Sequence, residues 1–203
     1  MNSRCTELSE RVVLVDPAGA PIGEADKATV HNTNTPFHLA FSCYVFNESG
    51  QLLLTRRALS KLTWPGVWSN SFCGHPAPGE PFEDAIARRA AFELGIELAA
   101  IQVELPEFTY RAVDASGVVE HEFCPVFSAR IIGEPKPNPA EVMEFAWVDF
   151  AELTEAALNV PQLLSPWAVL QLPLLQDVRR AKAPDDWCTP RDLNPEPLVK
   201  GLG

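Results

Sequence analysis

A chain of 203 residues is long enough for one domain with a sizeable core, and its formal net charge of -11 argues against a nucleic-acid coat or an anionic-membrane binder, since both need a basic face. With 46% hydrophobic and 21% charged residues, the composition is that of a folded globular protein rather than a disordered one. No apolar run approaches the ~20 residues of a membrane helix. The opening MNSRCTELSERVVLV lacks a leader-like pattern, and five cysteines without CxxC spacing point to free thiols in a reducing cytoplasm.

Residues 11–15 (RVVLV) read as a strand closed by the turn Asp16-Pro17-Ala18-Gly19. Residues 39–46 and 51–55 are β-rich and flank Asn47-Glu48-Ser49-Gly50, the pattern of a hairpin. A loop rich in Trp, Pro and Gly runs from Trp64 to Gly79, followed by a helix from Pro81 to Leu94 stopped at Gly95. Strands are expected at 101–111, 118–131 and 144–149, then helices at 150–157 and 161–180, with Pro161 at a helix start. The four prolines after Ala183 read as a loosely ordered tail, which leaves 1–182 as a single domain. Mixed strands and interspersed helices make the fold class α+β, a central mixed sheet flanked by helices.

Charge is unevenly spread. Between Glu48 and Glu80 there is no acidic residue, while Arg56, Arg57 and Lys61 all fall there. Clustered Arg and Lys suit phosphate oxygens, and they equally suit a protected strand edge. His31 and His38 bracket TNTPF, where Pro36 interrupts any helix, so they lie in a loop entering a strand. Cys73 and His75 stand two residues apart and share one side if their segment is extended. Glu120 and Glu122 likewise share one face of the strand VVEHEFCPVF. That face could be solvent-exposed, but a cation bound by His31, His38, His75, Glu120 and Glu122 would account for all five residues. Mixed nitrogen and oxygen donors suit Mn²⁺, Zn²⁺ or Mg²⁺. On the helix, counting 100° per residue from Phe82 puts Ile86 at about 40° and Glu93 at about 20°. Glu93 therefore lies on the apolar side, where it needs Arg89 one turn earlier or a Mg²⁺ ion.

Gly74, Glu80, Arg88 and Glu93-Leu94-Gly95-Ile96 match the skeleton of the Nudix box, a loop–helix–loop that binds a metal-diphosphate. Arg88-Arg89 and Phe92-Glu93 stand where hydrolases of that superfamily carry Arg-Glu and Glu-Glu, which weakens a hydrolase reading. Over residues 9–175 the chain resembles the type 1 isopentenyl diphosphate isomerases. The resemblance rests on His31, His38-Leu39-Ala40-Phe41, Leu54 to Lys61, Trp64-Pro65-Gly66-Val67-Trp68, Asn70 to Pro76, Glu120 to Phe127 and Ser165-Pro166-Trp167. It implies a Nudix-like fold and conversion of isopentenyl diphosphate to dimethylallyl diphosphate through a tertiary carbocation. It further implies Glu122 as proton donor with Tyr110 assisting, Cys73 as base with a lowered thiol pKa, and Trp167 facing the cation. Lys27, Arg57, Lys61 and, more weakly, Arg56 would hold the diphosphate. Glu93 would hold Mg²⁺ against it, and the five-ligand site would take a second divalent metal. The implied partner is a small prenyl diphosphate, with neither nucleic acid nor membrane.

Overall fold

The computed structural model describes residues 10–182; the tail expected after Ala183, Cys5 and Cys188 lie outside them. Two sheets form the frame. The first joins β1 (Arg11–Val15), β2 (Pro21–Asp26), β3 (His38–Leu39), β9 (Thr109–Val113) and β10 (Val119–Phe123) in the order β2-β1-β3-β10-β9. The second contains β4 (Phe41–Phe46), β5 (Leu52–Arg57), β8 (Glu97–Leu105), β11 (Val126–Ile132) and β12 (Val142–Val148), in the order β12-β5-β4-β11-β8. Two short strands join it, β6 (Trp68–Ser69) on β5 and β7 (Phe72–Gly74) on β4. The helices are α1 (Lys27–Val30), α2 (Phe82–Leu94), α3 (Phe150–Asn159) and α4 (Pro166–Lys182).

The second sheet is covered on both faces, which explains why β4 is buried along its whole length and is apolar but for the Ser42 and Tyr44 hydroxyls. Phe41, Cys43 and Val45 pack toward Ile86, Ala90 and Leu94 of α2. Tyr44 and Phe46 point the other way, toward Leu153 of α3 and Trp167, Leu172 and Leu175 of α4. Gly95 ends α2 as expected, at φ 62°, with its N–H bonded back to the last turn. No helix among the described residues is long and apolar enough to cross a membrane.

Four expectations need correction. The span 101–111 is two strands in different sheets, because Pro106 cannot donate to a continuous ladder. Residues 118–131 split the same way at Cys124-Pro125, with β10 in the first sheet and β11 in the second. The hairpin of 39–46 and 51–55 pairs only at Phe46↔Leu52 before its strands separate. Residues 69–71 fill the gap: Ser71 Oγ donates to Leu53 O and accepts from Val45 N, while Asn70 Nδ2 donates to Cys43 O. Finally, Pro161 opens only a 3-10 turn over Pro161–Leu163, and the long helix begins at Pro166. Pro166 suits the first position of a helix, where its fixed φ is already helical and its missing N–H has no partner to lose.

One feature positions the site. β3 pairs in parallel with β10 (His38↔Glu122, Phe123↔Leu39), and one step further β4 pairs in parallel with β11 (Val126↔Ser42). Both chains thus cross from one sheet to the other side by side, bridged by Ala40 N donating to Phe123 O and Ser42 N to Pro125 O.

Candidate active site

A cavity of about 540 Å³ opens at this seam, with walls from both sheets and from α4. The first sheet contributes Glu120, Glu122 and Tyr110 on β10 and β9 to its lining, Tyr110 lying opposite Glu122 in the ladder, while His38 on β3, beside Glu122, is buried just behind the wall. From the second comes β7, where Cys73 pairs with Ser42 of β4 and leads into His75. Gly74 between them has no room for a side chain: a Cβ there would stand 2.8 Å from Arg89 Cγ and from Phe41 Cζ. His31 caps α1, and the loop after it is tied to β10 by Val119 N donating to Asn32 O.

The three imidazoles converge. His31, His38, His75 and Glu122 each offer a ligand atom, all within 4.8 Å of one another. His75 Nε2 lies 3.2 Å from both His38 Nε2 and Glu122 Oε1, and His38 Nε2 lies 3.6 Å from that oxygen. Ligands ~2.1 Å from a shared ion stand roughly 3.0–3.4 Å apart in octahedral or tetrahedral geometry, so the spacing suits a divalent cation. His38 Nδ1 faces Pro36 O at 2.9 Å, an outer bond that turns Nε2 toward the cluster. His31 Nε2 is buried without a hydrogen-bond partner; it stands 3.1 Å from Glu120 Oε2, in a geometry that makes no hydrogen bond. An orphaned imidazole nitrogen beside two carboxylates fits a metal ligand. Glu120, the fifth expected ligand, stands outside this group of four: one oxygen lies beside His31 and the other accepts from Thr63 Oγ1 at 2.7 Å.

Burial works to raise the Glu122 pKa, but hydrogen bonds from His38 and His75 outweigh it and hold the carboxyl well below the usual range. Tyr110 is pushed far up by burial and by Glu122, so it stays protonated and donates to Glu122 Oε2 at 2.9 Å. Burial pushes His75 down to about 3. Among the protein groups alone, burial pushes the Cys73 thiol up to about 12, with Glu122 adding to it, against the smaller pull of the hydrogen bonds with Ser42 and Asn70 and of Arg57.

Trp167, in the first turn of α4, is 2% exposed and borders the cavity. Tyr110 lies against it at 5.8 Å, Trp64 meets it edge-on at 5.4 Å, and the Arg57 guanidinium sits 5.3 Å above its ring. Lys27, Arg57 and Lys61 all line the cavity, and Lys61 pairs with Glu141. Arg56 does not: it bonds Gly66 O and Glu144 on the opposite face of β5. Consecutive strand residues alternate faces, so Arg56 and Arg57 could not both enter. Glu93 also lies outside the main cavity. It accepts from Arg89 Nε at 2.9 Å and Nη2 at 2.5 Å and borders a cavity of about 30 Å³ behind Cys73.

The sequence reading missed Asn70. Its Oδ1 accepts from Trp167 Nε1 at 2.9 Å, Ser69 Oγ at 2.8 Å and Cys73 Sγ at 3.3 Å, joining the thiol to the indole. An amide flanked by Ser69 and Ser71 in a segment between strands was the available signal. Arg89 was missed as a cavity residue for a similar reason, having been read only as a partner of Glu93.

Residues 36–168 match the model of the NUDIX domain family. A protein named isopentenyl-diphosphate Delta-isomerase from Paenarthrobacter aurescens is 59% identical over 82% of this chain and 91% of its own length. Its namesake from Klebsiella pneumoniae is 51% identical over 80% and 88%. In backbone, a Deinococcus radiodurans crystal structure covers 86% of this chain and all of its own at a TM-score of 0.61 and 22% identity. A MutT Nudix hydrolase from Burkholderia pseudomallei covers 68% and 97% at a TM-score of 0.52 and 25% identity. The fold is that of Nudix proteins, and the chain belongs to the isopentenyl-diphosphate Delta-isomerase family within it.

Proposed function

We propose that this chain interconverts isopentenyl diphosphate and dimethylallyl diphosphate, with Glu122 and Cys73 as the proton-transfer pair. The observation that carries this reading is one cavity with Cys73 on one sheet, the Tyr110–Glu122 pair on the other and Trp167 between them. The reaction needs one proton delivered to the terminal alkene carbon and another removed from the methylene beside the cationic centre. Glu122 delivers the first, held by Tyr110 at Oε2, and the Cys73 sulfur takes the second, so the reacting state needs a protonated Glu122 and a Cys73 thiolate, the reverse of the ionisation favoured by the protein groups alone. Between these steps the substrate carries a tertiary carbocation that water would quench. The buried face of Trp167, with Trp64 and Tyr110 around it, keeps water away and favours cationic charge by ~2 kcal/mol once desolvated.

Lys27, Arg57 and Lys61 are the groups for the diphosphate; Glu93 would hold Mg²⁺ against it only by giving up its bonds to Arg89, since it borders the small cavity behind Cys73 and not the main one. His31, His38, His75, Glu120 and Glu122 would hold the second divalent cation, Mn²⁺, Zn²⁺ or Mg²⁺. Such a cation would polarise the carboxyl and fix its position. The reading implies a cytoplasmic enzyme whose partner is a small prenyl diphosphate.

The test is incubation with isopentenyl diphosphate and Mg²⁺ in deuterated water. Dimethylallyl diphosphate carrying deuterium is the expected product. Release of phosphate or pyrophosphate without isomer would overturn the proposal.

A further inference from the structure

Behind Cys73 runs a chain of buried polar side chains that the proposed mechanism does not use. Tyr44, Ser42 and Gln171 are each 0% exposed, and two of them interrupt otherwise apolar segments. A buried hydroxyl or amide is costly unless bonded, so each partner must be accounted for. Tyr44 Oη donates to Gln171 Oε1 at 2.9 Å, and in this orientation of the amide Nε2 faces β4. Gln171 Nε2 then donates to Ser42 Oγ at 3.0 Å. With that lone pair taken, the Ser42 hydroxyl proton has two acceptors within reach, the sulfurs of Cys73 and Cys124, each at 3.4 Å.

The Cys73 side completes the direction. Its S–H donates to Asn70 Oδ1, whose own amide donates to Cys43 O and Phe72 O and so cannot turn over. With the amide so oriented the sulfur presents lone pairs toward Ser42, and the hydrogen bonds run from Tyr44 through Gln171, Ser42 and Cys73 to Asn70. Both ends are anchored by α4: Trp167 bonds Asn70, and Gln171, one turn later, bonds Ser42.

We infer that Ser42 and Gln171 are positioning residues for the Cys73 thiol, Gln171 aiming the Ser42 hydroxyl at the sulfur so that Sγ is held toward the substrate. The inference rests on the reading of Cys73 as the base. Helix α4 thereby places the cation-facing indole and the base together, from two residues a single turn apart.

The test compares Ser42→Ala, Gln171→Met and the double variant, with Tyr44→Phe as a milder break of the same chain and Cys73→Ala in parallel. Steady-state turnover of isopentenyl diphosphate is measured on full-length, metal-loaded protein, with thermal melting to verify folding. Each single change should lower kcat about tenfold while KM stays within about twofold. Because Gln171 acts through Ser42, the double variant should be no slower than Ser42→Ala alone. If Gln171→Met fails to fold, Tyr44→Phe takes its place in the same cycle. Losses that multiply in the double variant, or wild-type kcat in Ser42→Ala beside an inactive Cys73→Ala, would overturn the inference alone. An active Cys73→Ala would instead remove Cys73 from the reaction and the inference with it.

Discussion

Two carboxylates, Glu122 and Glu93, are almost equally buried, 4% and 5% exposed, yet their surroundings push them in opposite directions. Burial works to raise both. At Glu122 it is outweighed, because His38, His75 and Tyr110 place hydrogen-bonding groups around the two oxygens. At Glu93 burial prevails, with Arg89 bonding one oxygen while also facing Glu141 at 3.6 Å. The number and placement of partners, more than depth, decide what a buried acid can do. Glu122 has hydrogen-bonding side chains on both oxygens, whereas Glu93 has a single guanidinium on one.

The sharpest way to break this contrast is at Glu122. Glu122→Gln keeps the shape and removes the acid, and turnover should fall on the order of 10³-fold with melting little changed. Near-normal turnover would make Glu122 an ordinary buried acid. At Glu93 the expectation splits by substitution. Glu93→Ala leaves the Arg89 guanidinium without its main partner and should cost about 3 kcal/mol in denaturant unfolding. Glu93→Gln keeps an oxygen facing it and should cost under about 1 kcal/mol. Equal losses would mean that charge rather than contact holds α2. His31→Ala should weaken retention of a bound divalent ion at least about tenfold, read by elemental analysis after dialysis. Metal content equal to wild type would take His31 out of the ligand set.

The smallest effect belongs to a third carboxylate. Glu80 is held low by its hydrogen bond to Arg88, which forks onto both oxygens at 2.8 and 2.7 Å. A depressed folded pKa contributes stability that is present above the ordinary value near 4.5 and lost as pH falls through the folded value. Glu80→Gln should therefore cost at most about 1 kcal/mol at pH 7 and nothing measurable at pH 2. A gap that persists in acid would show that packing, not charge, makes the contact.

Much of this was legible in the sequence where one residue answers to one local rule. Gly95 stops α2, the i, i+2 spacing puts Glu120 and Glu122 on one strand face, and the position of Glu93 on the helix foretells its burial. The errors arise where two rules compete. Hydrophobic continuity joined 101–111 and 118–131, although Pro106 and Pro125 mark the changes of sheet. Charge clustering grouped Arg56 with Arg57, although strand alternation separates them. A lowered Cys73 pKa is expected from bound metal, Mg²⁺ and cationic side chains; of the protein groups alone, burial has the largest effect and acts the other way. Ser42, Asn70 and Gln171 could not be assigned in advance, since their partners lie 31, 97 and 129 positions away or within other strands.

The parallel crossing of β3 with β10 and of β4 with β11 has a mechanical consequence. His38 and Glu122 ride on one sheet, while Cys73 and His75 ride on the other. An ion gripping His38, His75 and Glu122 together would act as a rivet through two plates. Any shear between the sheets would stretch its grip and shift the acid relative to the thiol. Heat tolerance and catalytic alignment would then share one fastener, and a cell short of the right metal would hold an enzyme both looser and slower.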